Sequence, residues 1–177
     1  MKNPWKRLST RTAYQNPWIR VREDKVIHPD GHEGIYAVVE VAPSVFIVAA
    51  DGSNRVHLIE CFRYSTGGMS IEIPAGGTDG EDPLKAAKRE LQEETGLTGD
   101  HWKQIGELDV HNGVCREVAY IFLATGLHQT GQHEQQADGI KRTFSMPLEE
   151  VFATIAAGKI RDSESITALY LAKDHLA

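Results

Sequence analysis

Residues 81–97 read EDPLKAAKRELQEETGL, and this stretch decides the fold of the chain around it. Asp82 is a candidate N-cap, Pro83 suits the first helical position because no N–H is needed there, and Gly96 is typical of a helix end. The apolar positions between these signals recur at helical spacing, at Leu84, Ala87 and Leu91. The sequence therefore predicts an amphipathic helix of about three turns.

Three acids of this helix stand where acids are unfavourable. Glu90, Glu93 and Glu94 lie at i, i+3 and i+4, so they share one helix face. Like charges at this spacing repel by about 0.2–0.5 kcal/mol per pair, and the C-terminal end of a helix favours cations. A bound hard cation would remove both penalties. A solvent-facing acidic surface explains the three glutamates alone equally well.

The stretch before the helix favours the cation. Residues 71–74 (IEIP) are expected to form a short strand, and residues 75–80 (AGGTDG) a glycine-rich loop that lets the backbone approach a ligand. Carboxylates beside backbone oxygens, without His or Cys, suit Mg²⁺ or Mn²⁺ rather than zinc. Because Mg²⁺ in proteins usually bridges to substrate phosphates, we expect a phosphate ester or anhydride as substrate.

Composition excludes several classes of protein. The chain has 177 residues, a net charge of −6 and no Lys/Arg block longer than two, so we expect no nucleic-acid partner. The longest apolar run, at residues 45–50, is too short to cross a membrane, and the N-terminus lacks a secretory signal. Cys61 and Cys115 have no metal-ligand spacing, which favours free thiols in a cytoplasmic protein.

The rest of the chain predicts a mixed α+β fold. Residues 1–16 are expected to be an irregular arm, and residues 18–27 and 35–41 the strands of a small antiparallel unit. A boundary near Pro43 divides the chain into residues 1–43 and 44–177. Further strands are predicted at 44–49, 56–62, 105–110, 118–124 and 141–146. Two late helices, one opened by Pro147 and one capped by Ser163, place a mixed sheet between helical layers, with a long polar loop at 126–139.

The helix and its flanks resemble the Nudix box. Glu81-x7-Arg89-Glu90-Leu91-x-Glu93-Glu94-x-Gly96-Leu97 satisfies every fixed position of that motif from its first glutamate onward. One position departs from the pattern: the motif expects glycine at position 75, where this chain has alanine followed by Gly76. The resemblance predicts a Nudix fold, an α/β/α sandwich, with the loop before the helix one residue shorter.

The resemblance also implies roles for the motif residues. Glu90 and Glu94 are expected to bind divalent metal ions, with Glu93 as a further ligand or a general base. Arg89 is expected to orient a glutamate through an ion pair. A backbone carbonyl from Ala75 or Gly76 would complete the metal site.

Several flanking stretches are similar to the ADP-ribose and nucleoside diphosphate sugar pyrophosphatases of the Nudix family. These stretches are Pro29-Asp30-Gly31, Arg63-Tyr64, residues 72–76 and residues 159–162. The subgroup implies a homodimer that exchanges its N-terminal sheets, and substrate contacts from Arg63, Glu72 and Gly76. It also implies a catalytic base in the loop at 126–139, so Glu134 and Asp138 rank equally with Glu93.

Two features bear on the substrate itself. The subgroup that cleaves ADP-ribose has a Ser-Pro-Gly-like turn where this chain has His111-Asn112-Gly113, followed by Glu117 at the acidic position. We expect Glu117 to contact substrate and Trp18 to stack on a base. The predicted activity is Mg²⁺-dependent cleavage of a nucleotide sugar, with dinucleoside polyphosphates or oxidised nucleoside triphosphates as alternative substrates. A non-catalytic module that binds nucleotide sugars is the alternative of another class.

Overall fold

The computed structural model describes residues 2–131 and 139–176, and the chain divides into two compact units. The first unit comprises residues 1–42 and 109–118, and the second comprises residues 43–108 and 119–177. The strands are β1 (Lys6–Gln15), β2 (Ile19–Ile27), β3 (Glu33–Val41), β4 (Ser44–Ala50), β5 (Arg55–Arg63), β6 (Gly68–Glu72), β7 (Ala75–Gly77), β8 (Leu97–Asp109), β9 (Cys115–Arg116), β10 (Val118–Gln129) and β11 (Ile140–Pro147). The helices are α1 (Pro83–Thr95), α2 (Leu148–Ala156) and α3 (Ser163–Leu176).

The first unit is a four-stranded sheet in the order β1-β2-β3-β9. Strands β2 and β3 are the predicted pair, and Gly31 adopts a positive φ of 95° in the turn between them. Strand β9 adds in parallel to β3, so the unit is not wholly antiparallel. The expectation of an irregular arm at residues 1–16 is wrong, because β1 pairs with β2 along its length. Every residue of β1 is exposed, so the strand has no buried apolar face that a sequence pattern would reveal.

The second unit is an α/β/α sandwich with a mixed sheet, which confirms the predicted fold class. Its strand order is β11-β5-β4-β10-β8, with β6 on β5 and β7 on β4; β10 runs parallel to β4, and β5 antiparallel to it. Side chains of β4 alternate between the two layers. Val45, Ile47 and Ala49 pack with α1, while Val48 and Ala50 pack with α2 and α3.

Helix α1 begins and ends where the sequence predicts. The Asp82 carboxylate accepts the backbone N–H groups of Leu84 and Lys85 at 3.1 and 3.2 Å, as an N-cap does. Gly96 ends the helix with a φ of 71° and donates its N–H to the Gln92 carbonyl at 2.8 Å. These local signals fix the helix register, and therefore which of its acids face inward.

Three local predictions were wrong. Residues 75–77 are not loop but strand β7, which pairs Gly76 with Val45 of β4; two of its three residues are glycine, so its sequence carries no strand signal. Strand β10 continues to Gln129 and shortens the loop predicted at 126–139. The cap of α3 is Asp162 rather than Ser163, because the Asp162 carboxylate accepts the Ser165 N–H at 2.8 Å.

Two further predictions from the sequence concern the cysteines and membrane-spanning helices. Cys61 and Cys115 are both free thiols, in β5 and β9. Within residues 2–131 and 139–176, no helix is long and apolar enough to span a bilayer.

Candidate active site

The backbone of β7 lies directly against the Glu90 carboxylate. A Cβ added to Gly76 would fall 2.2 Å from the Glu90 Cδ and within 2.4 Å of both carboxylate oxygens. A side chain at position 76 fits only if the Glu90 carboxylate or the strand moves, so glycine allows this close approach. Glu90 is only 9% exposed, so its carboxylate is held in a buried position between α1 and β7.

Glu94 bonds the same two elements one helical turn further along. Its Oε2 accepts the backbone N–H of Ala75 at 2.8 Å, and the residue is only 4% exposed. A buried carboxylate needs hydrogen bonds to offset its desolvation, and β7 supplies one here. The bond also fixes the backbone of Ala75, whose carbonyl is the expected metal ligand.

The guanidinium of Arg89 donates hydrogen bonds to several acceptors, some on α1 and some before it in the chain. Its Nη1 donates to Glu90 Oε1 at 2.7 Å and to Glu93 Oε2 at 2.9 Å. Its Nε donates to Glu81 Oε2 and its Nη2 to the Gly77 carbonyl, both at 3.0 Å. We call Arg89, Glu81, Glu90 and Glu93 the Arg89 cluster. The guanidinium offsets the repulsion between the carboxylates that the sequence predicts.

The pKa values within the Arg89 cluster follow from these contacts. Burial acts to lower the pKa of Arg89, but hydrogen bonds and charge from Glu81, Glu90 and Glu93 outweigh it and raise that pKa. Hydrogen bonds from Lys85 and Arg89 lower the pKa of Glu81. Arg89 and Glu81 are therefore expected to be charged near neutral pH.

The donors around β7 are all hard oxygens, the chemistry that suits Mg²⁺ or Mn²⁺. The residues that could hold such an ion are Glu90, Glu93, Glu94 and the carbonyl of Ala75. The carboxylates of Glu90 and Glu93 meet at one nitrogen of Arg89, while Glu94 is engaged with Ala75. In the part of the chain that the structure describes, no three His, Cys, Asp or Glu side chains are already arranged to hold a metal ion.

A second ion pair lies at the end of β5 and β6, just before β7 in the chain. Arg63 donates its Nε to Glu72 Oε1 at 3.0 Å and its Nη2 to Oε2, a bidentate pair. Glu72 is 4% exposed; burial raises its pKa, but the hydrogen bonds and charge of Arg63 prevail and hold that pKa below its ordinary value. The same bond raises the pKa of Arg63.

The surroundings of Glu72 include residues that sequence reasoning missed. Cys61 is buried beside it, and burial together with the Glu72 charge raises the pKa of this thiol to about 11. Burial, with added repulsion from Glu72 and Glu164, raises the pKa of Asp162. In the sequence, the similarity of residues 159–162 to the subgroup is the one signal that points to Asp162.

The structure does not bring all of the predicted site residues into one described site. Ala75, Gly76, Arg89, Glu90, Glu93 and Glu94 lie together, and Arg63 with Glu72 precedes them in the same unit. Trp18 and Glu117 belong to the first unit, where Trp18 is 76% exposed. Glu134 and Asp138, two of the three candidate bases, lie outside the described residues.

Comparison with protein-family models matches nearly the whole chain. Residues 5–39 match the model described as the nucleoside diphosphate sugar hydrolase N-terminal domain. Residues 40–169 match the model of the NUDIX domain.

Characterised relatives and a solved structure agree with these matches. The ADP-ribose pyrophosphatase of Mycobacterium tuberculosis (strain ATCC 25618 / H37Rv) is 32% identical over 167 residues, which cover 92% of this chain and 80% of that protein. The GDP-mannose pyrophosphatase of Yersinia pestis (strain Pestoides F) is 30% identical over 131 residues, covering 69% of this chain and 66% of that protein. A solved structure of an ADP compounds hydrolase superimposes with a TM-score of 0.85 over 97% of this chain and 94% of its own, at 19% identity, a likeness of fold alone.

Proposed function

The chain belongs to the Nudix family of pyrophosphohydrolases, and we propose that it hydrolyses the pyrophosphate bond of a nucleoside diphosphate sugar such as ADP-ribose. The products would be a nucleoside monophosphate and a sugar phosphate. The observation that carries the substrate class is the match of residues 5–39 to the N-terminal domain of nucleoside diphosphate sugar hydrolases, directly before the NUDIX match.

Nudix hydrolases generally use divalent metal ions, and we propose Mg²⁺ here, with Mn²⁺ as a substitute. The hard-oxygen donors of Glu90, Glu93, Glu94 and the Ala75 carbonyl support this assignment. A divalent ion held there would polarise the phosphate oxygens and lower the pKa of the attacking water. The guanidinium of Arg89 offsets the negative charge of Glu90 and Glu93, and a bound divalent ion would take over part of this role because it would offset the same charge.

In the proposed reaction, the oxygen of water bonds to one phosphorus and the bridging P–O bond breaks. The bridging oxygen leaves with the other phosphate, and the proton of the water passes to a carboxylate base. Glu93, Glu134 and Asp138 are the three candidates for this base, and Arg89 orients Glu93 through their 2.9 Å hydrogen bond. A base must reach the attacking water within hydrogen-bond distance, so only one of the three is expected to be essential.

Substrate contacts are proposed for residues of both units. Arg63, Glu72 and Gly76 are proposed to hold the substrate in the second unit. For Trp18 and Glu117, which belong to the first unit, the family resemblance alone supports a substrate contact. We propose that residues 1–43 form the dimerisation unit of a cytoplasmic homodimer. The family resemblance supports this assembly.

The retained acids favour an enzyme over a binding module. A module that binds nucleotide sugars without cleaving them has no need of Glu93 and Glu94, and this chain has both. Dinucleoside polyphosphates and oxidised nucleoside triphosphates remain competing substrates, since they present the same diphosphate to the same donors.

A metal-dependent hydrolysis panel in ¹⁸O water tests the proposal. Purified chain with Mg²⁺ is incubated with ADP-ribose, GDP-mannose, a diadenosine polyphosphate and an oxidised guanosine triphosphate, and the products are analysed by mass spectrometry. We expect preferred release of a nucleoside monophosphate from a nucleotide sugar, with ¹⁸O in one of the two products. No turnover of any nucleotide sugar, or preference for the other two substrates, would refute it.

Substitution of each candidate base identifies the proton acceptor. Glu93→Gln, Glu134→Gln and Asp138→Asn are compared for kcat and for the acidic limb of its pH profile. Substitution of the true base should abolish the acidic limb of the pH profile and reduce kcat by about 10²–10⁴-fold. The other two substitutions should leave the limb in place.

A further inference from the structure

One short segment links the two ion-pair sites of the second unit. Residues 72–75 (Glu-Ile-Pro-Ala) begin with the carboxylate that pairs with Arg63 and end with the backbone that Glu94 holds. Any shift of this segment along its own direction would move the Arg63–Glu72 pair and the Ala75 carbonyl together. The position of both relative to the carboxylates of Glu90 and Glu94 on α1 therefore depends on how this segment is fixed.

Three elements fix the backbone of the segment. The Ala75 N–H donates to Glu94 of α1 at 2.8 Å, and the Pro74 carbonyl accepts the N–H of Ile47 in β4 at 2.9 Å. The third bond comes from α3: the Ile73 N–H donates to the Ser165 Oγ at 3.1 Å, across 92 positions of sequence. Ile73 and Ser165 are both fully buried, so no solvent replaces this bond.

Ser165 is itself held by the cap of α3. Its backbone N–H donates to the Asp162 carboxylate at 2.8 Å, and its hydroxyl faces the same carboxylate and opposes the rise of the Asp162 pKa that burial causes. A hydroxyl in this place can accept from Ile73 and donate to Asp162 at the same time. Its orientation is fixed, as a positioning group requires.

The bonds from α1 and α3 come from opposite layers of the sandwich. Helix α1 packs on the face of β4 that carries Val45 and Ile47, whereas α3 packs on the face that carries Val48, together with Ile73. The segment thus passes between two helices, each of which holds one of its amide groups. Loss of the bond on the α3 side leaves the segment tied to β4 and α1 alone.

We propose that Ser165 is a positioning residue for hydrolysis: its buried hydroxyl sets the place of residues 72–75 and thereby aligns the Arg63–Glu72 pair and the Ala75 carbonyl with the carboxylates of α1. This inference rests on the proposed function for its catalytic consequence. Its structural part concerns the amide of Ile73 and the affinity for a divalent ion, and both can be measured without substrate.

The test compares four variants of the full-length chain. Ser165→Ala removes the acceptor, and Ser165→Thr keeps it. Ser163→Ala is the matched control, because the Ser163 hydroxyl at the same helix end donates to Glu164 and is exposed. Val151→Ala, in the buried core under α2, controls for lost stability alone. Amide hydrogen exchange at Ile73 and Ala75, the Kd for Mn²⁺, and KM and kcat are measured for each.

We expect Ser165→Ala to speed exchange at both amides, to raise the Kd for Mn²⁺ by about tenfold and to lower kcat/KM by about 10–100-fold, the range for residues that orient a ligand. Ser165→Thr, which keeps the hydroxyl, should stay closer to wild type than Ser165→Ala in Mn²⁺ affinity and kcat/KM. Ser163→Ala should keep all wild-type values, and Val151→Ala should keep the Kd for Mn²⁺ and kcat/KM while its amides exchange faster as its stability falls. If Ser165→Ala does not fold, Ser165→Cys takes its place, because a thiol keeps the shape and is a weak acceptor.

A merely structural role for Ser165 gives a different result. Ser165→Ala would then unfold at lower temperature, as Val151→Ala does, while its Mn²⁺ affinity and kcat/KM stay at wild-type values, and the proposal would be overturned. Failure of the wild-type chain to cleave any nucleotide sugar refutes the proposed function instead. In that case amide exchange and Mn²⁺ affinity still decide whether Ser165 positions the segment.

Discussion

The Arg89 cluster and the Arg63–Glu72 pair each use one arginine to offset the charge of acids near a ligand site, but they distribute its hydrogen bonds differently. Arg89 divides its donors among Glu81, Glu90, Glu93 and the Gly77 carbonyl. Arg63 directs two of its nitrogens, Nε and Nη2, at one buried carboxylate. An arginine that is shared among several acids can release one of them and keep its bonds to the others, whereas a bidentate pair loses its geometry when either partner moves. The first arrangement suits the binding of a metal ion, and the second suits the orientation of a substrate.

The largest effect is expected from Glu94→Gln, which breaks the metal side of this comparison. The carboxamide oxygen can still accept the Ala75 N–H, so the fold should be kept, but one anionic donor is lost. We expect kcat to fall by about 10²–10³-fold, as for the loss of other groups that stabilise transition-state charge. Steady-state kinetics with Mg²⁺ measure this, with the exposed Glu149→Gln as control. A fall of less than about threefold in the Glu94 variant would separate Glu94 from the chemistry.

Gly76→Ala tests whether the Arg89 cluster depends on the close approach of β7. The new Cβ would lie 2.2 Å from the Glu90 Cδ, so either the carboxylate or the strand must move. We expect a loss of about 1–3 kcal/mol in the free energy of unfolding, which urea denaturation measures, and weaker Mn²⁺ binding. Gly52→Ala, where the added Cβ meets nothing within 4 Å, should do neither. Equal stability of the two variants would contradict the packing of β7 on Glu90.

Arg63→Lys tests the substrate side. An ammonium group cannot form the bidentate contact with Glu72, so the pair loses its fixed geometry while its charge is kept. We expect KM to rise by about tenfold, one lost hydrogen bond to a charged group, with kcat and Mn²⁺ affinity little changed. Arg142→Lys, which alters an exposed ion pair with Glu60, is the matched control. A fall in Mn²⁺ affinity without a change in KM would reverse the two roles.

The smallest effect is expected on the free energy of unfolding in acid. The pKa of Glu72 in the folded chain lies below its ordinary value of 4.5, so its ionisation stabilises the fold above about pH 4.5 and this contribution is lost as the pH falls through the folded pKa. The pKa of Asp162 is raised, so its ionisation has the opposite sign. Urea denaturation between pH 3 and 6 should show a shallower loss of stability for Glu72→Gln and a steeper one for Asp162→Asn than for the wild-type chain. The same slope in all three would exclude both contributions.

The two regions also differ in how far the sequence predicts them. Helix α1 has a complete set of local signals, Asp82, Pro83 and Gly96, so its register and its inward-facing acids follow from the sequence. Strand β7 has none, because its glycines leave no pattern and its pairing is decided by β4. The resemblance alone pointed to Arg63 and Glu72, and their bidentate contact depends on the pairing of β5 with β6.

The bond from Ser165 to Ile73 could not be predicted at all. It joins residues 92 positions apart, and nothing in either local sequence indicates the other. The sequence favoured Ser163 as the cap of α3, because serine is a common N-cap residue. In the structure Asp162 has that role and accepts the N–H of Ser165. Ser165 is buried, and its hydroxyl accepts a hydrogen bond from the segment before β7.

Equilibrium binding of Mn²⁺, followed by electron paramagnetic resonance, tests most directly whether the carboxylates around β7 form the metal site. Wild type, Glu94→Gln and Arg63→Lys are titrated without substrate. We predict that Glu94→Gln raises the Kd for Mn²⁺ by at least about tenfold, while Arg63→Lys leaves it within about twofold of wild type. The same Kd in Glu94→Gln as in wild type, or a larger change in Arg63→Lys than in Glu94→Gln, would contradict the division of the site into metal-binding and substrate-orienting halves.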